Sequence, residues 1–267
     1  MSATDYLFDD AAAASELARL RALQEIFDPH TQRLLSATGD WAKRRCLEVG
    51  AGAGSIALWM RMQVGAGGRV VAVDSNTRFL AGMQAELEII EGDVREAALP
   101  AAAFDVVHAR YVLIHNADSN AVLDAIVRCL EPGAWLLLEE PDFLAAESLA
   151  GPAELRSAFD NVNRAIAASF ANRAMDPGLG RRLPALVQAR TLELQQVECV
   201  PCLEQGGSPL ARMMTLSATA LREKYVATGL ATQADVDGYC AFAADAACWG
   251  VYYSTLRVLA RAVVHPK

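Results

Sequence analysis

The order of apolar segments predicts an α/β fold: a seven-stranded, mostly parallel sheet with an N-terminal helical cap and a helical lid insertion after the fifth strand. Three observations carry that expectation. Between residues 46 and 140 five short apolar runs (CLEV, RVVAVD, LEII, FDVVHA and AWLLLEE) alternate with stretches suited to helices. Strands covered on both faces read as continuous apolar runs, and such alternation is the pattern of a parallel sheet. The first run leads directly into a glycine turn, Gly50-Ala51-Gly52-Ala53-Gly54. Finally, the 267 residues are 53% hydrophobic and 21% charged, which suits one sizeable core and argues against disorder.

The elements follow in order. Leu17, Leu20, Leu23 and Phe27 recur at three- and four-residue steps and predict an amphipathic helix over 11–27. Asp28-Pro29 should stop it, because proline has no N–H to donate and its ring crowds the preceding turn. A second short helix then runs from Thr31 to Ala37. CLEV (46–49) is the first strand, SIALWMRMQV (55–64) the helix after the turn, and RVVAVD (69–74) the second strand. A helix around Arg78–Met83, a strand at LEII (87–90) and a strand at FDVVHA (104–109) come next. A helix over Ala121–Leu130 ends at EPG, which turns the chain into AWLLLEE (134–140).

After Pro141 the alternation stops. Helices are expected over 153–175 and 179–189, a strand over 191–200 and a helix over 209–228. Thr232-Gln-Ala-Asp235 reads as a capping box opening a helix to about Cys248. WGVYYSTLRVLARA (249–262) is a last, long strand, with Trp249 and Tyr253 on one face and Tyr252 on the other. The chain thus divides into a cap (1–45), a core (46–142), a helical lid insertion (143–190) and the closing strands and helices (191–267).

The net charge of −8 argues against a nucleic-acid surface. Nowhere do about 18 apolar residues run uninterrupted, as a membrane-spanning helix needs. The acidic start, MSATDYLFDDAAAASE, lacks the basic n-region of a signal peptide. Six cysteines in a chain this long are no disulfide framework, and Cys199-x-x-Cys202 without a second pair reads as structural thiols. No His, Cys and carboxylate cluster has metal-ligand spacing, so no metal is expected. The compartment these features suggest is the cytoplasm.

The glycine turn carries the chemistry. A ligand approaching its backbone needs residues without bulky side chains, and the following helix start offers free N–H groups and a positive dipole end. Glu48 ends the first strand and Asp74 the second, where a carboxylate can take both hydroxyls of an adenosine ribose. Asp93, in Gly92-Asp93-Val94, follows the third. The turn is not the dinucleotide fingerprint, which would need glycine where Ser55 stands; this disfavours a nicotinamide oxidoreductase.

Through LEVGAGAG, VVAVD, EGDV, FDVVHARYVLIHNAD and LEPGAWLLLEE the chain resembles the class I S-adenosylmethionine-dependent methyltransferases. YLFDD, FDPHT, GRRLPALV, GGSPLAR and VATGLATQADVD are similar to an actinobacterial subgroup of small-molecule methyltransferases related to the quinone-methylating type. The resemblance implies a Rossmann-like sheet and S-adenosylmethionine as cofactor, with S-adenosylhomocysteine as product. It also implies roles. Gly50, Ala51 and Gly52 would hold the methionine part and Glu48 its ammonium. Asp74, with Ser75 beside it, would bind the ribose. Asp93 would accept from the adenine amino group while Val94 donates from its backbone. Ala109 and Arg110 would line the methionine end, and Tyr6 would fold over the cofactor.

Transfer from a sulfonium is an in-line displacement, so the protein mainly positions the acceptor and excludes water. A hydroxyl acceptor of high pKa would gain from a general base. His115 is the candidate catalytic residue, with Glu139, Glu140 and Asp142 also past the strands; His115 could equally cap the next helix. Glu140, Asn161 and Tyr252 are candidate substrate contacts. A small-molecule acceptor, no nucleic acid, no membrane and room for a homodimer complete the expected partners. A cofactor-holding fold that no longer methylates, as a cyclase or binding protein, is the alternative from another class.

Overall fold

The computed structural model describes residues 13–190 and 192–264. Its first element, α1 (Ala13–Ser36), is one 24-residue helix that passes through Pro29. The expected stop at Asp28-Pro29 is therefore corrected. Proline deprives only the carbonyl of Glu25 of its donor, and Glu25 is exposed, so water can take that place. Phe27, Thr31, Leu34 and Leu35 are buried on either side of the proline, and packing overrides local preference.

The sheet is built from β1 (Arg45–Val49), β2 (Arg69–Asp74), β3 (Glu88–Glu91), β4 (Phe104–Arg110), β5 (Leu130–Asp142), β6 (Glu147–Ala150), β7 (Leu192–Gln205) and β8 (Trp249–Ala262). The order β3-β2-β1-β4-β5 is parallel throughout. β8 runs antiparallel to β5, with Leu138 opposite Val258, and β7 pairs antiparallel along β8's other edge. β6, a strand within the segment where only helices are expected, pairs Trp249–Val251 on the edge that β5 occupies further along. It continues β5's lane, and the sheet is seven strands wide.

The helices are α2 (Ser55–Val64), α3 (Ser119–Arg128), α4 (Ala153–Ala171), α5 (Leu179–Gln188), α6 (Pro209–Ala220), α7 (Arg222–Val226) and α8 (Gln233–Ala244). Alternate strand residues serve opposite faces. Cys46, Val70, Ala72, Val106, Leu137 and Leu259 pack beneath α1 and α2. Leu47, Val49, Val71, Val107, Leu136, Leu138 and Val258 form the other layer with α3 and α5. The segment 143–190 divides between two places. α4 packs on α8 and β6, whereas α5 packs on the sheet against β5, β7 and β8. Gly180 lets α5 approach so closely that a Cβ there would stand 2.8 Å from the carbonyl oxygens of Glu140 and Pro141.

Several boundaries also moved. Instead of a helix over 78–83 there is one 3₁₀ turn, Thr77–Phe79, capped by the Asn76 side chain accepting from Arg78 N–H. EPG lies inside β5, where a register shift against β4 absorbs it. The helix expected over 209–228 breaks at Leu221. The capping box of Thr232 and Asp235 is present, but α8 ends at Ala244 because Asp245 is extended.

Candidate active site

The loop after β1 has Gly50, Gly52 and Gly54 at φ of +70°, +55° and +82°, the left-handed region that suits glycine. At Gly50 space is decisive as well: a Cβ would lie 2.3 Å from Val112 Cγ2. α2 begins without a side-chain cap, leaving its first-turn N–H groups and dipole end at the loop. Asp74 fastens the loop to β2, accepting from Gly52 N–H at 2.8 Å and Asn76 N–H at 2.9 Å. Burial pushes its carboxyl upward, against those two donors.

A cavity of about 870 Å³ opens over the ends of the parallel strands, where ligands bind in open α/β sheets. Glu48, Gly50, Ala51, Gly52, Asp74, Ser75, Asp93 and Arg110 line one part of it. Leu20 and Leu23 of α1, with the Glu16–Arg19 ion pair at 2.8 Å, line it as well. Another part is aromatic and apolar: Tyr111, Phe143, Phe170, Tyr253, Met213 and Met214. Phe143 stacks on Phe170 at 5.1 Å and meets Tyr253 at 5.4 Å, and Tyr111 meets Tyr253 edge-on at 6.2 Å. Tyr111 itself sits at φ +57°, rare for a ring-bearing residue. Its N–H donates to the Glu139 carbonyl at 2.8 Å and its hydroxyl lies 2.7 Å from Thr255 Oγ1.

Beneath the cavity a row of buried charges crosses the sheet on the α1 face. Strand register sets Glu48 opposite His108, Glu139 opposite Arg257 and Arg257 opposite Glu198. His108 lies 2.7 Å from Glu48 through Nδ1 and 3.2 Å from Glu139 through Nε2. Arg257 Nε donates to Glu139 at 2.8 Å. Arg110 donates to Asp28 at 2.7 Å and to Thr31 Oγ1 at 2.8 Å, while the Thr31 hydroxyl donates to Glu139. Burial would lower the His108 imidazole, but the two carboxylates overcome it and push it up to about 9. Burial would raise Glu139, but His108, Arg110 and Thr31 hold it down to about 2.

Of the residues singled out by sequence, His115, Glu48, Gly50, Ala51, Gly52, Asp74, Ser75, Asp93 and Arg110 meet at the cavity. Asp93 is there with its carboxylate held by the Arg95 guanidinium at 2.9 Å and the Arg95 N–H at 2.8 Å. His115 is half-buried at the cavity wall, and desolvation there together with Arg19 holds its imidazole down to about 3. Val94 and Ala109 are buried in the core layer behind the cavity wall. Tyr6 lies outside the described residues.

Three expected substrate contacts are not brought to the cavity. Glu140 turns inward and accepts from the N–H groups of Val112, Leu113 and Ile114 at 3.0, 2.8 and 3.1 Å, anchoring the turn that carries His115. Asn161 donates to Asp235 and accepts from Arg164, tying α4 to α8. Tyr252 is fully buried against Phe159 and Tyr239; its neighbour Tyr253 faces the cavity instead.

Sequence reasoning missed His108, although a histidine inside an apolar strand beside one ending in glutamate was a signal. It also missed Asp28 and Thr31, which the assumed helix stop concealed, and the pocket side of Met213 and Met214. Cys199 and Cys202 fall within β7 as free thiols, the first exposed and the second buried. Among the described residues no group of three or more His, Cys, Asp or Glu is placed to hold a metal, and no helix is long and apolar enough to cross a membrane.

A family model described as a methyltransferase domain matches residues 14–179. The methyltransferase str3 of Strobilurus tenacellus is 30% identical over 161 residues, 58% of this chain and 56% of that protein, so the match spans little more than half of the relative. Two solved structures share the fold. The [4+2]-cyclase SpnF superposes with a TM-score of 0.58 at 17% identity, over 91% of this chain and 83% of that one. A phosphoethanolamine N-methyltransferase of Haemonchus contortus, in complex with phosphomonomethylethanolamine and S-adenosylhomocysteine, gives 0.59 at 15% identity, over 98% and 61%.

Proposed function

The chain belongs to the methyltransferase-domain family, and from that membership we propose that it methylates a small, flat, apolar acceptor of the aromatic or quinone-like kind. S-adenosylmethionine is the donor in this reading. The single observation that carries it is one cavity joining a glycine cradle with strand-end acids to a wall of aromatic rings. The residues present fit such a donor. The cradle at Gly50 admits no side chain, Asp74 suits ribose hydroxyls, and Glu48 suits an ammonium. Asp93 suits the adenine amino group once Arg95 yields, with Val94 donating from its backbone. The closer likeness to quinone-methylating enzymes of actinobacteria belongs to the same reading, as does a cytoplasmic location, which six free thiols support.

When bound, S-adenosylmethionine supplies a methyl group already activated on sulfur. The protein's part is positioning and the exclusion of water. Tyr111, Phe143, Phe170 and Tyr253 present ring faces and edges to a flat acceptor. The titratable groups there are poor bases at neutral pH: burial raises Tyr111, Tyr225 and Tyr253 and keeps His115 neutral down to about 3. In this reading His115 orients the acceptor and contributes little as a base. The acceptor brings its own electron pair, as an acidic hydroxyl ionised near neutrality or an electron-rich ring carbon.

The test is to follow S-adenosylhomocysteine release with a series of phenols and hydroxyquinones of graded acidity, and with phosphoethanolamine. Release is expected with the flat acceptors, rising with their ionisation, and not with phosphoethanolamine. The lack of a strong base also favours a second reading, a fold that binds the cofactor without methylating; SpnF, similar in fold, is described as a [4+2]-cyclase. Cofactor binding without release across the whole series would favour it.

A further inference from the structure

The row of charges beneath the cavity has a residue with no part in the reading above. His108 is fully buried and does not line the cavity, yet it touches Glu48, which does. We propose that His108 is a positioning residue that, held as the imidazolium between Glu48 and Glu139, keeps Glu48 ionised and aimed at the ammonium group of the bound cofactor. The inference rests on the reading that Glu48 meets that ammonium.

One proton is shared along this line. A carboxylate only accepts, a carboxyl group can donate, and a neutral imidazole has one N–H. Both ring nitrogens of His108 face carboxyl oxygens, at 2.7 and 3.2 Å, so with Glu48 and Glu139 both ionised both nitrogens donate, and the other seat for that proton is Glu48. With both acids ionised, the surroundings balance when the charge sits on His108. Glu48 on β1 and Glu139 on β5 face the ring, while Arg257 on β8 pairs with Glu139 and Glu198, and Arg110 on β4 with Asp28. Asp28, His30 and Thr31 come from α1, and Glu198, paired with Arg33, comes from β7. His30 is largely exposed on α1, where partial burial and Arg257 hold it below its ordinary value. The carboxylates Asp28, Glu48, Glu139 and Glu198 are therefore matched by His108, Arg110, Arg257 and Arg33. Removing the His108 charge leaves one buried carboxylate uncompensated.

Glu48 is the one that would yield, since burial pushes its carboxyl upward and His108 is the largest influence holding it down, while Glu139 keeps Arg257. A protonated Glu48 would no longer attract an ammonium ion. His108 Nδ1 occupies Glu48 Oε2, leaving the other oxygen for the cavity. His108 thus fixes both the charge and the direction of Glu48.

The test compares two nucleosides in the full chain: S-adenosylhomocysteine, which carries the ammonium, and 5′-methylthioadenosine, which lacks the amino acid. His108→Gln should weaken S-adenosylhomocysteine by about tenfold or more, the scale of a lost charged contact, and leave methylthioadenosine unchanged. His108→Gln with Glu139→Gln removes one charge of each sign and should recover much of the loss. An equal fall for both nucleosides, no fall for either, or a double variant worse than the single one would overturn the proposal. If the wild-type chain binds neither nucleoside, the cofactor reading itself fails. Nitrogen-15 NMR of the cofactor-free wild type adds a readout independent of any variant's folding. Both His108 ring nitrogens should carry protons at pH 8, and a single N–H there would also overturn the proposal.

Discussion

Glu139 and Arg257 face each other across β5 and β8, Oε2 to Nε at 2.8 Å, with at most 2% of either side chain exposed. Removing one partner of such a pair strands a buried charge, at a cost of about 3–5 kcal/mol. Glu139→Gln should therefore lower the stability measured by urea unfolding at pH 7 by that order. The pH dependence has a definite sign. A carboxyl held down to about 2 in the folded state stabilises above its unfolded value, and that stability is lost as pH falls toward 2. The gap between wild type and variant should be full near pH 6–7 and narrow steadily from about pH 4.5 downward.

Gly50 tests the cradle. Its φ of +70° and the 2.3 Å approach of a Cβ to Val112 Cγ2 penalise any side chain twice. Gly50→Ala should cost about 1–3 kcal/mol of stability and reduce cofactor affinity. Adding Val112→Ala relieves the clash but not the backbone strain, so thermal unfolding should show partial recovery only.

Glu140 anchors the turn carrying His115 through three backbone N–H groups. Glutamine offers one acceptor oxygen and turns an N–H₂ toward the remaining donors. Glu140→Gln should destabilise by about 1–3 kcal/mol. It should also lower turnover more than it weakens S-adenosylhomocysteine binding by titration.

The aromatic wall should control the acceptor and not the cofactor. Phe170 stacks on Phe143 and lies 5.8 Å from the His115 ring. Phe170→Ala removes that surface and should raise the acceptor's KM by roughly tenfold or more, the scale of a lost aromatic contact with its buried area. Cofactor affinity, read by titration, should stay within about twofold, a difference of under 0.5 kcal/mol.

The features legible in sequence were those whose cause is local. The strand-to-helix glycine turn, the acids at 48, 74 and 93, the Thr232–Asp235 cap and the whole of β8 depend on neighbours within a few residues. What was not legible depends on partners far along the chain. Pro29 does not stop α1 because Phe27, Thr31 and Leu34 pack on a sheet still unformed at that point in the sequence. Glu140 and Tyr252 carry plausible chemistry, but which side of the sheet they face follows from strand ends and register. His108 meets Glu48 only because β1 pairs with β4 in one register; a shift of one residue would send its ring to the other face.

The most direct measurement of the central claim is calorimetric titration of S-adenosylhomocysteine into the full chain and into Asp74→Ala. Asp74 closes the loop through Gly52 and Asn76 and is the residue we propose binds the ribose. Saturable binding to the wild type, weakened by about 1–3 kcal/mol in the variant, is the expected result. Equal affinity in the two proteins, or no saturable binding to the wild type, would contradict the account.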